Sequence, residues 1–392
     1  MQKILITGGN FINKGAQSML FCLVDGLKKK YPQADLVMID IFPSQHGDKK
    51  NKYTFKIVNM HIRTVLRMAF PILKILVKPK PISNPENEIE KHFSTADMVL
   101  DISGYGVSSH NQKAIWTYAT LFPVRYAKKY DVPFVFLPQS IGPFDFTGWK
   151  KLVVWPLIKK YLKYPKTIFI REPDCRTHLD KINTQQVIDS FDLVLQSSKI
   201  EAKNIFADSS SYYSRSFNIP ENSILLIPNK QLTRLKSQEE MINLFSSLVK
   251  TMVNQDQKVV ILRHSADDKE MCDLIAKASK NENVYLMNED LDPLELQELF
   301  ESSKMVIAAR YHGLIHALKL GKPCLVIGWA NKYSHVMNTF GLNEFYFDIR
   351  KMEVDNINFA SLKMLKSVEE YKMKIEDKLN EIKSSDIYKY IY

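Results

Sequence analysis

The order of hydrophobic and polar positions divides the chain into two alternating series. In the first, apolar runs at 3–7, 35–39, 98–102 and 134–137, then shorter ones at 167–171 and 186–188, read as strands. Between the first two lies 16–29, where Met19, Leu20, Leu23, Val24 and Leu27 recur at the spacing of one helix face. Glycine-rich loops follow the strands: Gly8 to Gly15, then Ser103-Gly104-Tyr105-Gly106, then Ser140-Ile141-Gly142-Pro143. A second series starts near 222. Strands are predicted at 223–227, 258–263, 284–287, 305–308 and 324–327, and helical patterns at 239–254, 267–279, 293–302 and 312–320. Strands alternating with helices imply parallel sheets, whose ligands sit at the carboxyl ends of the strands, where these loops fall. The polar and aromatic stretch around 197–222 marks a junction. The expected organisation is α/β throughout: a first domain over 1–200, a junction at 201–222, a second domain over 223–355 with a cleft between the two, and a Lys/Glu-rich C-terminal helix over 356–392.

Length and composition agree with this. At 392 residues the chain has room for two cores, and 45% hydrophobic with 25% charged residues excludes long disorder and a fibrous chain. The net charge of +11 implies an anionic partner: nucleic acid, lipid or a phosphorylated small molecule. Cys22, Cys175, Cys272 and Cys324 are too scattered for a metal or disulfide framework, which implies a reducing compartment. The opening MQKILITGG lacks the plan of a signal peptide. The longest apolar stretch, 64–77, is broken by Arg67, Pro71 and Lys74, so no bilayer span is expected.

The segment MVIAARYHGLIHALKLGKPCLVIGW, 305–329, carries the strongest chemical signal. A strand delivers Arg310 and His312 to its carboxyl end and a helix begins at once, so helix N–H groups and a guanidinium would share one anion site. Arg310 and His312, two apart on a strand end, would point to the same side, and an imidazole there suits proton transfer to a bound carboxylate or phosphate. The plainer alternative pairs Arg310 with a buried acid and makes His312 a helix cap. Neither GxGxxG nor GxxxxGK[ST] occurs, so no dinucleotide or P-loop site is supported. Asp290-Leu-Asp292 has the form of a metal-dependent nucleotide-sugar site, but Asp292 before Pro293 and a periodic run reads better as an N-cap. No cluster has metal-ligand spacing, and no metal is expected.

RYHGLIHALKLGKPCLVIGWANKYSH resembles the C-terminal signature of the polysaccharide pyruvyl transferases, in which R-x-H-x3-A, a Gly-x-Pro turn, a strand and a lysine follow in order. GGNFINKGAQSML resembles that family's N-x-G loop, PQSIGPF its Gln-x-x-Gly-Pro element, and FIREPDCRTHL its arginine-bearing strand end; LDPLELQELFESSKMVIAAR is similar to the helix and strand before R-x-H. The blocks run in sequence order from about residue 4 to 340. Two departures stand out: Ser103-Gly104-Tyr105-Gly106 replaces a Gly-Gly loop, and Arg171-Glu172 replaces Arg-Asp.

The resemblance implies two Rossmann-like domains similar to the GT-B glycosyltransferases, and transfer of a pyruvyl (enolpyruvyl) unit from phosphoenolpyruvate to a sugar of a cell-surface polysaccharide or its lipid-linked precursor. The product would be a pyruvate ketal, with phosphate released. Phosphoenolpyruvate would be a co-substrate and no cofactor is implied. His312 is then the expected proton donor and acceptor. Arg171, Arg310 and Lys332 are expected to bind the donor, with His264, at the end of a predicted strand, as a further donor-site member. Asn10, Asn13, Gln17, Gln139 and Ser140 are candidates for sugar hydroxyls, although Asn13 also suits a turn, Gln17 an exposed helix position and Gly142-Pro143 a simple turn. The alternative keeps the fold and uses a nucleotide-sugar donor. Two segments, Arg63 to Lys80 and Trp149 to Lys166, interleave basic with bulky apolar residues, as in helices that lie on an anionic leaflet; core helices with basic outer faces would show the same pattern. The expected location is cytoplasmic, peripheral on the inner face of the plasma membrane. With no helix-turn-helix, RNP, KH or zinc-finger signature, a nucleic-acid partner is not expected.

Overall fold

The computed structural model describes residues 2–43, 49–70, 72–109, 113–210, 212, 219–351 and 353–391. Part of the sequence-predicted junction, residues 211 and 213–218, lies outside this set. The chain forms two compact units. One comprises Met1–Leu193, Ser197–Ser214 and Asp386–Tyr392, the other Val194–Gln196 and Arg215–Ser385.

The first unit is built on seven parallel strands: β1 (Lys3–Thr7), β2 (Asp35–Asp40), β3 (Lys56–Asn59), β4 (Met98–Asp101), β5 (Phe134–Gln139), β6 (Thr167–Ile170) and β7 (Val187–Asp189), in the order β3-β2-β1-β4-β5-β6-β7. The central strands are continuous apolar runs because helices cover both faces of a parallel sheet. Ile4, Leu5, Val99, Leu100 and Phe136 are fully buried. Right-handed crossovers place the connections from β3 to β4, β4 to β5 and β5 to β6 on one face. On that face Phe93, Phe122 and Ile158 join the core with Leu5 and Phe134.

The second unit has six parallel strands: β8 (Ile224–Ile227), β9 (Val259–Leu262), β10 (Val284–Met287), β11 (Met305–Ala308), β12 (Cys324–Gly328) and β13 (Tyr346–Asp348), in the order β10-β9-β8-β11-β12-β13. Its helices start on the signals written in the sequence. Asp292 caps the helix Pro293–Ser302 by accepting from the N–H groups of Leu294 and Glu295, at 2.9 and 3.1 Å, with Glu295 closing a capping box. Ser237 and Glu240 do the same for the helix Gln238–Val253.

Three features differ from the sequence reading. β3 and β13 were not predicted; both are short edge strands, and β13 is only half-buried, so neither leaves an apolar run. The segment 356–392 is not one helix. It contains most of Val354–Lys366, then Val368–Lys383 and a short turn Ile387–Tyr390 that belongs to the first unit. Among the described residues no helix is long and apolar enough to cross a membrane.

Candidate active site

In each sheet successive connections diverge at one point, between β1 and β4 in the first unit and between β8 and β11 in the second. Open α/β sheets bind ligands outside the carboxyl ends of their strands at such points.

In the first unit β1 ends at Thr7 and β4 at Asp101, which are register partners. The loops that follow are pressed together. Gly8 has φ +79°, and a Cβ there would stand 2.4 Å from the Ser103 nitrogen, so the position needs glycine. A cavity of about 220 Å³ adjoins them, lined among others by Thr7, Asn10, Phe42, Asp101, Ser103, Tyr105, Trp116 and Thr120. Phe42 and Trp116 stand with ring centroids 5.1 Å apart. Aromatic rings beside hydroxyl, amide and carboxylate groups suit a polar ligand with one apolar face.

Asp101 is the buried charge of this cavity. It accepts from the Thr7 hydroxyl at 2.8 Å, the Ser103 N–H at 3.0 Å and the Ser103 hydroxyl. Burial nevertheless pushes its carboxyl up to about 6, outweighing the hydrogen bonds that favour the charged form. Sequence reading missed Asp101; the signal was an acid ending an apolar strand before a glycine loop. Gln139 is fully buried at the end of β5; its side chain makes no hydrogen bond of ordinary geometry among the described residues but lies close enough to Asp101 to favour its ionisation.

The other first-unit candidates are used differently. Asn10 lines the cavity while accepting from the N–H groups of Ile12 and Asn13 at 3.2 and 3.0 Å. Asn13 is the N-cap of the helix Lys14–Lys30. Gln17 is buried and accepts from the buried Lys14 amine at 3.4 Å, so it is not the exposed helix residue the plainer reading expected. Arg171, just beyond β6, is 7% exposed; its Nη1 donates to the buried Asp192 at 2.6 Å, and its Nη2 to the Gly104 carbonyl and the Ser140 hydroxyl, both at 2.8 Å. Ser140 in turn donates to Glu172 at 3.0 Å. Arg171 thereby ties together the loops after β4, β5 and β6.

In the second unit Arg310 follows β11 and occupies the N-cap position of the helix Tyr311–Lys319, whose first turn has neither a side-chain cap nor an acid. The positive end of that helix's dipole therefore lies beside Arg310. The plainer reading of Arg310 holds in one respect: a buried acid does pair with it. Asp268 is fully buried and takes Nε at 2.9 Å and Nη2 at 2.5 Å. The pair fixes the guanidinium, while Nη1 makes no hydrogen bond among the described residues and the side chain keeps 18% of its surface. His312 lies in the first helical turn and not on the strand end, half-buried and edge-on to Tyr311 at 5.3 Å. The Lys332 amine stands 4.7 Å from the centre of the Tyr311 ring, and Tyr333 donates its hydroxyl to the Ala309 carbonyl at 3.3 Å. Arg310, His312 and Lys332 thus gather around Tyr311. His264 packs inside the unit with its ring 5.9 Å from that of His316, whose burial holds its pKa well below the usual histidine range. Sequence reading did not single out Asp268, which positions Arg310. Among the described residues no group of His, Cys, Asp or Glu is placed to hold a metal ion.

Residues 13–331, four-fifths of the chain, match the sequence model of the polysaccharide pyruvyl transferases. The chain belongs to the polysaccharide pyruvyl transferase family. It is accordingly a transferase of polysaccharide biosynthesis. No curated protein matches it. Its fold is similar to that of S. aureus MnaA in a structure with UDP (TM-score 0.56, 14% identity, covering 100% of this chain and 94% of that one). The Neisseria meningitidis UDP-GlcNAc 2-epimerase bound to UDP-GlcNAc is also similar (0.54, 16%, 96% and 94%), as is the structure of trehalose-6-phosphate from E. coli bound with UDP-2-fluoro glucose (0.53, 11%, 99% and 97%). At these identities the likeness concerns the fold, which is of the GT-B class.

Proposed function

We propose that this transferase moves a pyruvyl group from phosphoenolpyruvate to a sugar of a cell-surface polysaccharide or its lipid-linked precursor, forming a pyruvate ketal and releasing phosphate. The observation that carries the reading is the cationic cluster of the second unit. Arg310, fixed by Asp268, stands at a helix N-terminus with His312 beside it and Lys332 against Tyr311. A small molecule bearing both a carboxylate and a phosphate matches that set, because guanidinium and helix N–H groups bind both anions by charge-assisted hydrogen bonds.

His312 delivers a proton to the methylene carbon of phosphoenolpyruvate, which becomes a methyl group and leaves cationic character at the adjacent carbon. One sugar hydroxyl adds there and returns its proton to His312. A second hydroxyl displaces phosphate, which departs with that hydroxyl's proton. Arg310 and Lys332 stabilise the charge on the departing phosphate. Arg171, with both terminal nitrogens engaged, braces the loops of the first unit.

The acceptor sugar is assigned to the cavity of the first unit. Its 220 Å³ is below the ~300 Å³ of the smallest drug-sized pockets and suits a single sugar ring. Trp116 offers an apolar face, and Asn10 and Asp101 offer polar groups. The protein works from the cytoplasmic side, where phosphoenolpyruvate and lipid-linked precursors are both within reach. Arg310→Ala and His312→Ala are each expected to abolish acceptor-dependent phosphate release; His312→Ala should leave the melting temperature near that of the parent, whereas Arg310→Ala takes the guanidinium from the fully buried Asp268 and should lower it. Near-normal turnover in both would overturn the site. A thermal shift given by UDP-sugars and not by phosphoenolpyruvate would favour a nucleotide-sugar donor.

A further inference from the structure

The helix Gly148–Tyr161 buries Val154, Ile158 and Tyr161 against the first unit, yet its outer side is apolar as well. Trp149, Leu152 and Val153 lie on one stripe and are 62, 78 and 51% exposed; Lys159 and Lys160 continue the exposed side into the last turn. A helix that borders only water carries polar residues there. A second feature lies nearby in the fold. Around the short helical turn Leu73–Leu76, Ile72, Ile75 and Leu76 are 74, 86 and 76% exposed.

This turn is held out by polar contacts. Arg67 donates from Nη1 to the carbonyls of Lys74 and Val77, at 2.9 and 2.5 Å, and Glu86 pairs with both Arg67 and Lys74, at 2.6 and 2.8 Å. The turn and the helix flank the same element, the helix Ala114–Lys129. On one side Phe70 stacks on Tyr118 at 5.5 Å and Arg125 donates to the Ala69 carbonyl at 2.8 Å. On the other, just past the lysine-rich helix, Tyr164 donates to the Ala127 carbonyl at 3.2 Å.

Charge says what covers this face. Residues 62–84 hold five basic side chains, two of them paired with Glu86, and 148–166 hold six, and neither stretch contains an Asp or Glu, so the face is strongly positive. A second copy presenting the same face would set like charge against like. We propose that this face of the first unit docks on an anionic lipid leaflet, with Trp149, Leu152, Ile75 and Leu76 entering the headgroup boundary and Lys78, Lys80, Lys151 and Lys159 meeting lipid phosphates and carboxylates. The inference extends the cytoplasmic-face reading of the acceptor and does not depend on the transfer chemistry.

The test is co-sedimentation of the full chain with phosphatidylcholine vesicles containing ~25% phosphatidylserine and with phosphatidylcholine alone, in the absence of substrates. Binding is expected only to the anionic vesicles, weakening as salt rises. Leu152→Glu and Ile75→Glu should each lower it about ten-fold or more, and Lys151→Gln or Lys159→Gln about five-fold each. Because these side chains are exposed, melting temperature and transfer to a soluble saccharide should stay unchanged in all four variants. Equal binding to both vesicle types, unaltered binding by the Glu variants, or a salt-independent dimer in light scattering that Leu152→Glu dissolves would each overturn the proposal. Failure of vesicle binding with transfer intact would leave the proposed reaction standing.

Discussion

Asp101→Asn separates a carboxylate kept for function from one kept for stability. The carboxyl titrates at about 6 in the folded protein against 3.8 for an ordinary aspartate, because it is fully buried. The folded state therefore holds the proton more tightly than the unfolded chain, and stability falls as pH rises from about 4 through 6. A gap of about two pH units amounts to about 3 kcal/mol of lost stability at neutral pH. Asparagine keeps the shape, can accept from Ser103 through its oxygen, and can donate to the Thr7 hydroxyl. The variant should match the parent in calorimetric scans near pH 4 and exceed it above pH 7 by up to about 3 kcal/mol, a rise of about 6–12 °C for a unit of this size. The same variant should lose kcat/KM for the saccharide while its KM for phosphoenolpyruvate stays put, a gain in stability at the cost of function. A stability difference that does not change with pH, or a variant less stable than the parent at pH 7.5, would refute the argument.

Asp268→Ala should lower kcat/KM for phosphoenolpyruvate about 100-fold by freeing the Arg310 guanidinium from its fixed position, as read by phosphate release. Unchanged turnover would show that Arg310 needs no support. Arg171→Ala should act on folding: it breaks the buried ion pair with Asp192, whose side chain is 1% exposed, and costs about 3–5 kcal/mol, seen as a fall in melting temperature. Loss of activity at an unchanged melting temperature would instead assign Arg171 to the donor.

The central strands were legible because parallel strands buried on both faces must be continuous apolar runs: Ile4 to Thr7, Met98 to Asp101 and Met305 to Ala308 could hardly be read otherwise. The edge strand Tyr346–Asp348 was not, since one row of neighbours and half burial leave no such run. The Arg310–His312 pair was equally plain, because strand end and helix start are both local. Its support was not. Asp268 lies 42 residues upstream, and only the order of β9, β8 and β11 brings it to Arg310. Arg171 shows the converse: the sequence marks an arginine at a strand end, while its engagement by Asp192, Gly104 and Ser140 depends on three other loops. Arg67 and Lys74 counted as membrane-facing charge in the sequence, whereas Glu86 holds both in the fold.

The central claim concerns a bond, and mass spectrometry of the product tests it most directly. Purified protein incubated with phosphoenolpyruvate and candidate saccharides should yield an acceptor heavier by one pyruvate less one water, with one phosphate released per acceptor modified. An acceptor of unchanged mass across the saccharides tried, with a sugar transferred instead when UDP-sugars are supplied, would contradict the account.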